Sequence, residues 1–218
     1  MPKAAVVLSG CGFLDGAEIT EAVSVLIALS QRGIEYRCFA PDVSYEVVDH
    51  TTCEPSGESR NALTESARIA RGVVEALRHL KAEDFDTVIF PGGFGAAKHL
   101  CTFASKGPDC DVHREAKRVL EGFYEAGKPI GLACIAPAVG AKVLGSKGIN
   151  ITIGNDKGTA DAIRATGATH TDCDVTSIVV DETNNVVTTP AYMYGDATPA
   201  QVFEGISKMI EWIVGRLG

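Results

Sequence analysis

Pro129-Ile-Gly-Leu-Ala-Cys-Ile-Ala-Pro137 is the stretch that decides the fold of this chain. Ile130–Ala133 has the pattern of a short buried strand, and Ala136–Leu144 has that of a helix. A strand that turns directly into a helix places Cys134 on a sharp corner, in the geometry of a nucleophile elbow with cysteine instead of serine. The unpaired N–H groups and the dipole of the helix N-terminus favour an anion there. We therefore predict a nucleophilic thiolate at Cys134.

The rest of the chain alternates short apolar runs with amphipathic stretches, which is typical of a βα fold. The predicted strands are Ala4–Leu8, Glu35–Ala40, Thr87–Phe90, Ile130–Ala133, Val179–Asp181 and Val186–Thr189. The predicted helices are Glu21–Arg32, a segment from about Leu63, His113–Ala126, Ala136–Leu144 and Pro199–Arg216. We predict one α/β domain over residues 1–218, a flavodoxin-like three-layer sandwich whose mainly parallel sheet carries helices on both faces.

Two segments depart from this regular alternation. Asn184-Asn185 separates two predicted strands and indicates a hairpin turn. Asp42–Arg71 is typical of an insertion made of polar loops and a helix. We expect this insertion to pack over one edge of the sheet.

The composition excludes several classes of partner. The 218 residues carry a formal net charge of -8, so the chain shows no electrostatic signature of nucleic-acid or membrane binding. The seven cysteines include no CxxC pair, which argues against a disulfide framework or a structural zinc site.

The N-terminus of the sequence bears on the expected location, because it runs directly into a strand pattern. We expect a cytoplasmic protein, or a mitochondrial one if a transit peptide precedes this sequence.

Ligands bind at the carboxyl ends of the strands in an open α/β sheet. That rule brings together the loop Ser9–Glu21, the loop Pro91–Ala97 and the corner at Cys134. Glu21 lies one turn into the first predicted helix, so its carboxyl group can point across the strand ends toward the thiol. We expect the chemistry of the protein at this edge of the sheet.

Backbone N–H groups beside the thiol are the predicted stabilisers of an oxyanion. Gly92 and Gly93 directly follow a strand, and glycines let the backbone present N–H groups close to a ligand. The N–H of Ile135, just past the nucleophile, is the third predicted donor.

The remaining polar residues near these loops give weaker signals. The glycine-rich loop after the first strand lacks the GxGxxG pattern, so we do not predict a bound dinucleotide. A cysteine hydrolase needs a histidine base, and only His170 follows Cys134, whereas His99 follows the Pro-Gly-Gly turn. We interpret both histidines as surface or structurally satisfied groups, and Lys98 as a solvated charge.

These motifs together resemble the DJ-1/PfpI superfamily, whose fold is like the class I glutamine amidotransferase domain. The resemblance rests on Glu21, Pro91-Gly-Gly-Phe-Gly-Ala-Ala97 and Ala133-Cys134-Ile-Ala-Pro137. Further motifs are similar to the ES1/ElbB branch, namely Leu8-Ser-Gly-Cys-Gly12, Asp15-Gly-Ala-Glu18, Ser59-Arg-Asn61, Pro91–Lys98, Cys134-Ile-Ala-Pro137 and Val187-Thr-Thr-Pro-Ala191. The motifs cover nearly the whole chain and fall in the same order.

The resemblance implies a cofactor-independent enzyme built around Cys134, with neither a metal nor an organic cofactor. In that superfamily the elbow cysteine is reactive, a protonated glutamate, here Glu21, hydrogen-bonds its sulfur, and the turn at Gly92 and Gly93 donates to an oxyanion. Bacterial ElbB relatives are described as glutathione-independent glyoxalases. The resemblance therefore implies a small aldehyde substrate such as glyoxal, a 2-hydroxy acid product and a homodimer.

Three departures from the superfamily narrow this expectation. Ile135 stands where protease-type members carry a histidine, no HxE pair follows His170, and Ile151–Asp156 lacks the histidine of DJ-1. The third member of the site is therefore left open. One alternative is a redox-sensing or binding protein with little turnover, since an exposed thiol of low pKa is a site of oxidation. A glutamine amidotransferase ranks last.

Overall fold

The computed structural model describes residues 1–217, in which strands and helices alternate along most of the chain. The strands are β1 (Lys3–Val7), β2 (Glu35–Ala40), β3 (Ser44–Asp49), β4 (Glu54–Asn61), β5 (Val74–Ala76), β6 (Thr87–Phe90), β7 (Ile130–Ala133), β8 (Asn150–Ile151), β9 (Thr169–His170), β10 (Val179–Asp181) and β11 (Val186–Thr189). The α-helices are α1 (Ile19–Gln31), α2 (Ala62–Ile69), α3 (Phe103–Lys106), α4 (Arg114–Glu125), α5 (Pro137–Leu144), α6 (Lys157–Ala165) and α7 (Pro199–Val214). Within residues 1–217, no helix has both the length and the apolar character that a membrane crossing needs.

The central sheet has seven strands in the order β10-β11-β7-β6-β1-β2-β5. Its neighbouring strands pair in parallel, except β10 and β11, which form the antiparallel hairpin predicted around Asn184-Asn185. The helices cover both faces of this sheet, which confirms the predicted flavodoxin-like α/β fold.

The core consists of two apolar layers, one on each face of the sheet. Side chains of β6 alternate between them, as the period of a strand requires. Val88 and Phe90 pack in the layer that contains Leu120 of α4, whereas Ile89 packs in the layer that contains Val25 of α1. Because both faces are covered, the central strands are mainly apolar, with buried threonines at Thr87 and Thr188, and ligands have access at the strand ends.

The element bounds agree closely with those predicted from periodicity. β2, β6, β7, β10 and β11 begin and end at the predicted residues. The ends of α1, α4, α5 and α7 lie within two residues of the predicted ends. The strands β5, β8 and β9 were not predicted, because each holds only one residue of high strand propensity, whereas the equally short β10 was marked by its hairpin with β11.

The insertion Asp42–Arg71 differs from the prediction of polar loops. It begins with a two-stranded antiparallel hairpin, β3 and β4, and continues with α2. Almost every residue of β4 is exposed, so its sequence shows no alternation of apolar and polar residues. As expected, the insertion covers an edge of the sheet, since α2 packs against β2 and the edge strand β5.

Candidate active site at Cys134

Cys134 occupies the predicted corner between β7 and α5. Its φ is 57°, in the left-handed region that a residue with a Cβ rarely adopts. The parallel pairing of β7 with β11 continues to Ala133 and Thr189, and the Cys134 N–H then donates to the Thr189 carbonyl at 2.9 Å. These contacts hold the strained residue in place, which is how a nucleophile elbow is maintained. The side chain is 7% exposed.

Gly92 leaves room for the thiol. A Cβ added at this glycine would lie 2.8 Å from Glu21 Oε2 and 2.9 Å from Cys134 Sγ, and it would also overlap Cys134 Cβ. No side chain fits there. The Pro-Gly-Gly turn after β6 therefore permits the close approach of two other side chains, beyond any role in shaping the turn.

Glu21 points from α1 to the thiol, as predicted. Its Oε2 accepts the N–H of Gly92 at 2.9 Å, and its Oε1 accepts the N–H of Tyr192 at 3.2 Å. The carboxyl group is also a neighbour of the Cys134 side chain, since Glu21 Oε2 and Cys134 Sγ both lie within 3 Å of the point where a Cβ of Gly92 would stand. Burial and the negative charge of Glu18 raise the pKa of Glu21 to about 8. At neutral pH this carboxyl group is therefore largely protonated and can donate to sulfur.

The expected thiolate at Cys134 is not the resting form. Burial, followed by the charge of Glu21, raises the pKa of the thiol well above its ordinary value. The N–H groups of Gly93 and Ile135 hydrogen-bond the sulfur and oppose this rise in pKa, but they do not outweigh it. The N–H groups at the helix N-terminus thus lower the pKa of the thiol, as predicted, but the loss of solvation raises that pKa by more. Sequence alone does not show how deeply the thiol is buried.

The three predicted oxyanion donors are not equivalent. The N–H of Gly92 already donates to Glu21, so the expectation that it binds a substrate oxygen needs correction. The N–H groups of Gly93 and Ile135 converge on the sulfur of Cys134. Both N–H groups are thus close to the reacting sulfur, and their role as oxyanion donors stays a prediction.

The loops that follow β1 and β6 meet as expected. Phe94 N–H donates to the carbonyl of Phe13 at 2.8 Å, and Gly95 N–H donates to that of Gly16 at 2.8 Å. Glu18 caps the N-terminus of α1 by accepting the N–H of Glu21 at 2.6 Å. This cap aligns the first turn of α1 so that Glu21 points inward.

A cavity of about 420 Å³ opens at the thiol. Its wall is mainly apolar and includes the aromatic rings of Phe13, Phe94 and Phe103. Tyr192 and Met193, which follow β11, also line it. The sequence did not predict that residues of α3 and of the segment after β11 line the cavity. The motif Val187-Thr-Thr-Pro-Ala191, however, ends directly before Tyr192. The cavity provides an apolar compartment around one reactive sulfur.

The histidines singled out from the sequence lie elsewhere. His99 Nδ1 is 2.8 Å from the carbonyl oxygen of Ser9, and His170 Nε2 accepts the N–H of Ile153 at 3.1 Å. Within residues 1–217, no histidine lines the cavity at Cys134. Lys98 is not merely solvated, because its ammonium group donates to the carbonyl of Leu14 at 2.8 Å. The site therefore pairs a cysteine with a glutamate and no imidazole base.

Curated proteins are similar to this sequence along nearly its full length. The human "glutamine amidotransferase-like class 1 domain-containing protein 3, mitochondrial" is 50% identical over 99% of this chain and 84% of its own. The rat "ES1 protein homolog, mitochondrial" is 49% identical over the same shares of the two chains. No protein-family model matches the chain.

Solved structures share the fold. An Ehrlichia chaffeensis isoprenoid biosynthesis protein with an amidotransferase-like domain superposes with a TM-score of 0.94 at 38% identity, covering 100% of both chains. Drosophila melanogaster DJ-1beta superposes with a TM-score of 0.59 at 19% identity, over 99% of this chain and 91% of its own, and shows similarity of fold alone. The curated relatives show that the chain belongs to the ES1 family of class 1 glutamine amidotransferase-like proteins, and its fold is the one that DJ-1 shares.

Proposed function

We propose that the protein is a cofactor-independent, glyoxalase-type enzyme that converts glyoxal or a related α-oxoaldehyde into a 2-hydroxy acid. The observation that carries the proposal is the contact between the carboxyl group of Glu21 and the thiol of Cys134 at the end of an open cavity. A nucleophile and a proton carrier in contact are the two groups that this conversion requires.

The proposed reaction starts from the protonation state in which the thiol of Cys134 and the carboxyl group of Glu21 carry one proton between them. Cys134 Sγ bonds to the aldehyde carbon while the thiol proton passes through Glu21 to the aldehyde oxygen, which gives a hemithioacetal. Glu21 then removes the proton from the carbon bonded to sulfur and returns it to the neighbouring carbon, while the hydroxyl proton of the hemithioacetal passes to the oxygen on that neighbouring carbon. The first carbon becomes a thioester carbonyl and the second an alcohol, so the redox change is internal. Water hydrolyses the thioester and releases the 2-hydroxy acid and the thiol.

The cavity favours an α-oxoaldehyde with an apolar substituent over glyoxal itself. Glyoxal is small and polar, whereas the cavity of about 420 Å³ presents three phenylalanine rings and Met193. An aryl or alkyl substituent would bury apolar area against these side chains. The substrate class therefore includes larger members than the glyoxal that the resemblance implies.

Replacing the nucleophile tests the proposal. Cys134→Ser should lower the production of 2-hydroxy acid from glyoxal, methylglyoxal and phenylglyoxal by at least about 100-fold. Cys53→Ser, a change of the same type at an exposed turn of the β3–β4 hairpin, should leave turnover unchanged. Full turnover by Cys134→Ser would refute the proposed mechanism.

The redox-sensing alternative has less support. A thiolate is the form that peroxide oxidises, whereas Cys134 is buried and its thiol pKa is raised. Mass spectrometry after peroxide treatment distinguishes the two functions. Selective sulfinic acid at Cys134 together with negligible turnover of all three aldehydes would favour the sensor.

We also propose that the protein is located in mitochondria. The human and rat relatives carry the word mitochondrial in their names. Those names support the mitochondrial alternative and give no support to the cytoplasmic expectation. Fractionation of cells that express the natural protein, with an antibody against it, would test this.

A further inference from the structure

A second cavity, of about 290 Å³, lies between the glycine-rich loop after β1 and the β3–β4 hairpin. Cys11 and Asp15 line it from the loop, and Tyr45, His50 and Arg60 line it from the hairpin segment. It shares no lining residue with the cavity at Cys134. Its chemistry is therefore separate from that of the proposed reaction.

Asp15 is the unusual group in this second cavity. The residue is 3% exposed, and its Oδ2 accepts the N–H of Val48 at 2.8 Å. Its Oδ1 is buried and has no hydrogen-bond partner among the described residues. A buried carboxylate oxygen without a donor is destabilising, so such groups are rare unless something binds them.

His50 does not satisfy this oxygen, although its Nε2 lies 3.8 Å from Asp15 Oδ1. The N–H of Leu14 donates to His50 Nε2 at 3.3 Å, and His50 Nδ1 lies 2.9 Å from the carbonyl oxygen of Val48. This pattern places the ring proton on Nδ1 and leaves Nε2 as an acceptor. The ring therefore offers no proton to Asp15.

Gly12 packs closely against this oxygen and the ring of His50, so no side chain fits at that position. A Cβ at Gly12 would lie 3.0 Å from Asp15 Oδ1 and 2.7 Å from His50 Nε2. The φ of Gly12 is 126°, which L side chains rarely adopt. The loop conformation thus excludes an internal side-chain donor at the point where the free oxygen faces.

The charge balance of the cavity favours a positive ligand. Arg60 is already paired with Glu58 at 3.1 Å and with Glu65 at 3.5 Å. Asp49, which also lines the cavity, accepts hydrogen bonds from the N–H and hydroxyl of Thr51. Within residues 1–217, Asp15 forms an ion pair with no lysine or arginine, whereas Arg60 and Asp49 have partners.

We infer that this cavity is a binding site for a small primary ammonium compound whose ammonium group donates to Asp15 Oδ1. The ammonium group supplies both the donor and the positive charge that Asp15 lacks. Tyr45 and Ser56 line the same cavity, and their hydroxyl groups can donate a hydrogen bond to a polar substituent of the ligand. Since none of these residues lines the Cys134 cavity, the inference does not rest on the proposed glyoxalase activity.

Titration of the ¹⁵N-labelled protein with ethanolammonium chloride, followed by amide NMR spectra, tests the inference. The amide signals of Gly12, Asp15 and Val48 should shift saturably, and ethylene glycol, a neutral probe of similar size, should not shift them. Asp15→Asn should weaken binding by about tenfold or more, since a charge-assisted hydrogen bond is lost. The amide oxygen of the introduced asparagine can still accept the Val48 N–H, so the loop should keep its fold.

Glu46→Gln is the matched control, because it removes an exposed carboxylate from β3 of the same hairpin at a position that does not line the cavity. It should bind ethanolammonium within about twofold of wild type. Absence of saturable shifts, equal shifts with ethylene glycol, or equal binding by Asp15→Asn would each overturn the inference. The two-probe comparison on the wild-type protein decides the matter even if a variant fails to fold.

Discussion

Glu21 Oε2 accepts the backbone N–H of Gly92 at 2.9 Å, so the proposed proton carrier and the turn after β6 are joined directly. The same glycine leaves the space in which Cys134 Sγ and Glu21 approach each other. One residue without a side chain thus sets the geometry of both reacting groups. The motif Pro-Gly-Gly is explained by this contact better than by a supply of two oxyanion donors.

Gly92→Ala should lower turnover strongly while the protein stays folded. The new methyl group would displace the carboxyl group of Glu21 or the thiol of Cys134, and a misplacement near 1 Å costs on the order of 100-fold in rate. Turnover and the melting temperature are the measurements. Gly195→Ala is the control, since a Cβ there meets no atom within 4 Å. Wild-type turnover in Gly92→Ala would contradict the assigned geometry.

Glu18→Gln should move the pH dependence of turnover to lower pH. Activity needs the one-proton form of the Cys134–Glu21 pair, so kcat/KM should rise with pH as Glu21 ionises near its pKa of about 8. Removing the negative charge of Glu18 lowers that pKa, while the amide oxygen of the glutamine still caps α1. We expect the midpoint of kcat/KM to fall by roughly 0.5 to 1 pH unit.

A thiol readout separates this effect from changes in substrate binding. The rate of alkylation of Cys134 by iodoacetamide should shift with pH in the same direction in Glu18→Gln. Glu54→Gln, an exposed position at the start of β4, should change neither profile. Identical profiles for Glu18→Gln and wild type would show that the charge of Glu18 does not govern the pair.

Periodicity predicted the central sheet because its strands are buried on both faces and its helices are amphipathic. The elbow was predictable for a related reason, since Ala133 ends a strand and Pro137 begins a helix with no room for a loop. The hairpin β3–β4 was not predictable, because an exposed two-stranded ribbon such as Glu54–Asn61 needs no apolar alternation.

The electrostatics of the site follow from packing, which the sequence does not show. A thiol at a helix N-terminus is expected to ionise easily, yet the burial of Cys134 beside Glu21 raises its pKa. The place of Glu21 in the first predicted helix, one turn beyond Glu18, indicated the direction of its side chain. That Gly92 donates to Glu21 rather than to a substrate depends on a three-dimensional contact between α1 and the turn after β6.

Phe94→Ala should discriminate between substrates. Phe94 lines the cavity, and its partly exposed ring lies within reach of a substituent that extends from the thiol. Loss of this apolar surface should reduce kcat/KM for phenylglyoxal by about tenfold and that for glyoxal by less than about threefold. Steady-state kinetics with both aldehydes on one variant provide the internal control. Equal losses for the two substrates would exclude a role of the ring in binding the substituent.

Val23→Glu should dissociate the homodimer that family resemblance leads us to expect. Ile19, Val23 and Ile27 are spaced by four residues along α1 and are 48%, 37% and 43% exposed, so they form an apolar stripe on one face of that helix. A two-fold axis beside the stripe would pair it with its own copy and bring the two introduced carboxylates together. Like charges at an interface cost several kcal/mol, so the dimer dissociation constant should rise by on the order of 100-fold or more.

Sedimentation velocity measures the change in the dissociation constant. Val73→Glu is the matched control, because Val73 is 75% exposed and lies outside the helices. A monomeric wild type, or dissociation by Val73→Glu to the same extent, would contradict a dimer built on this stripe.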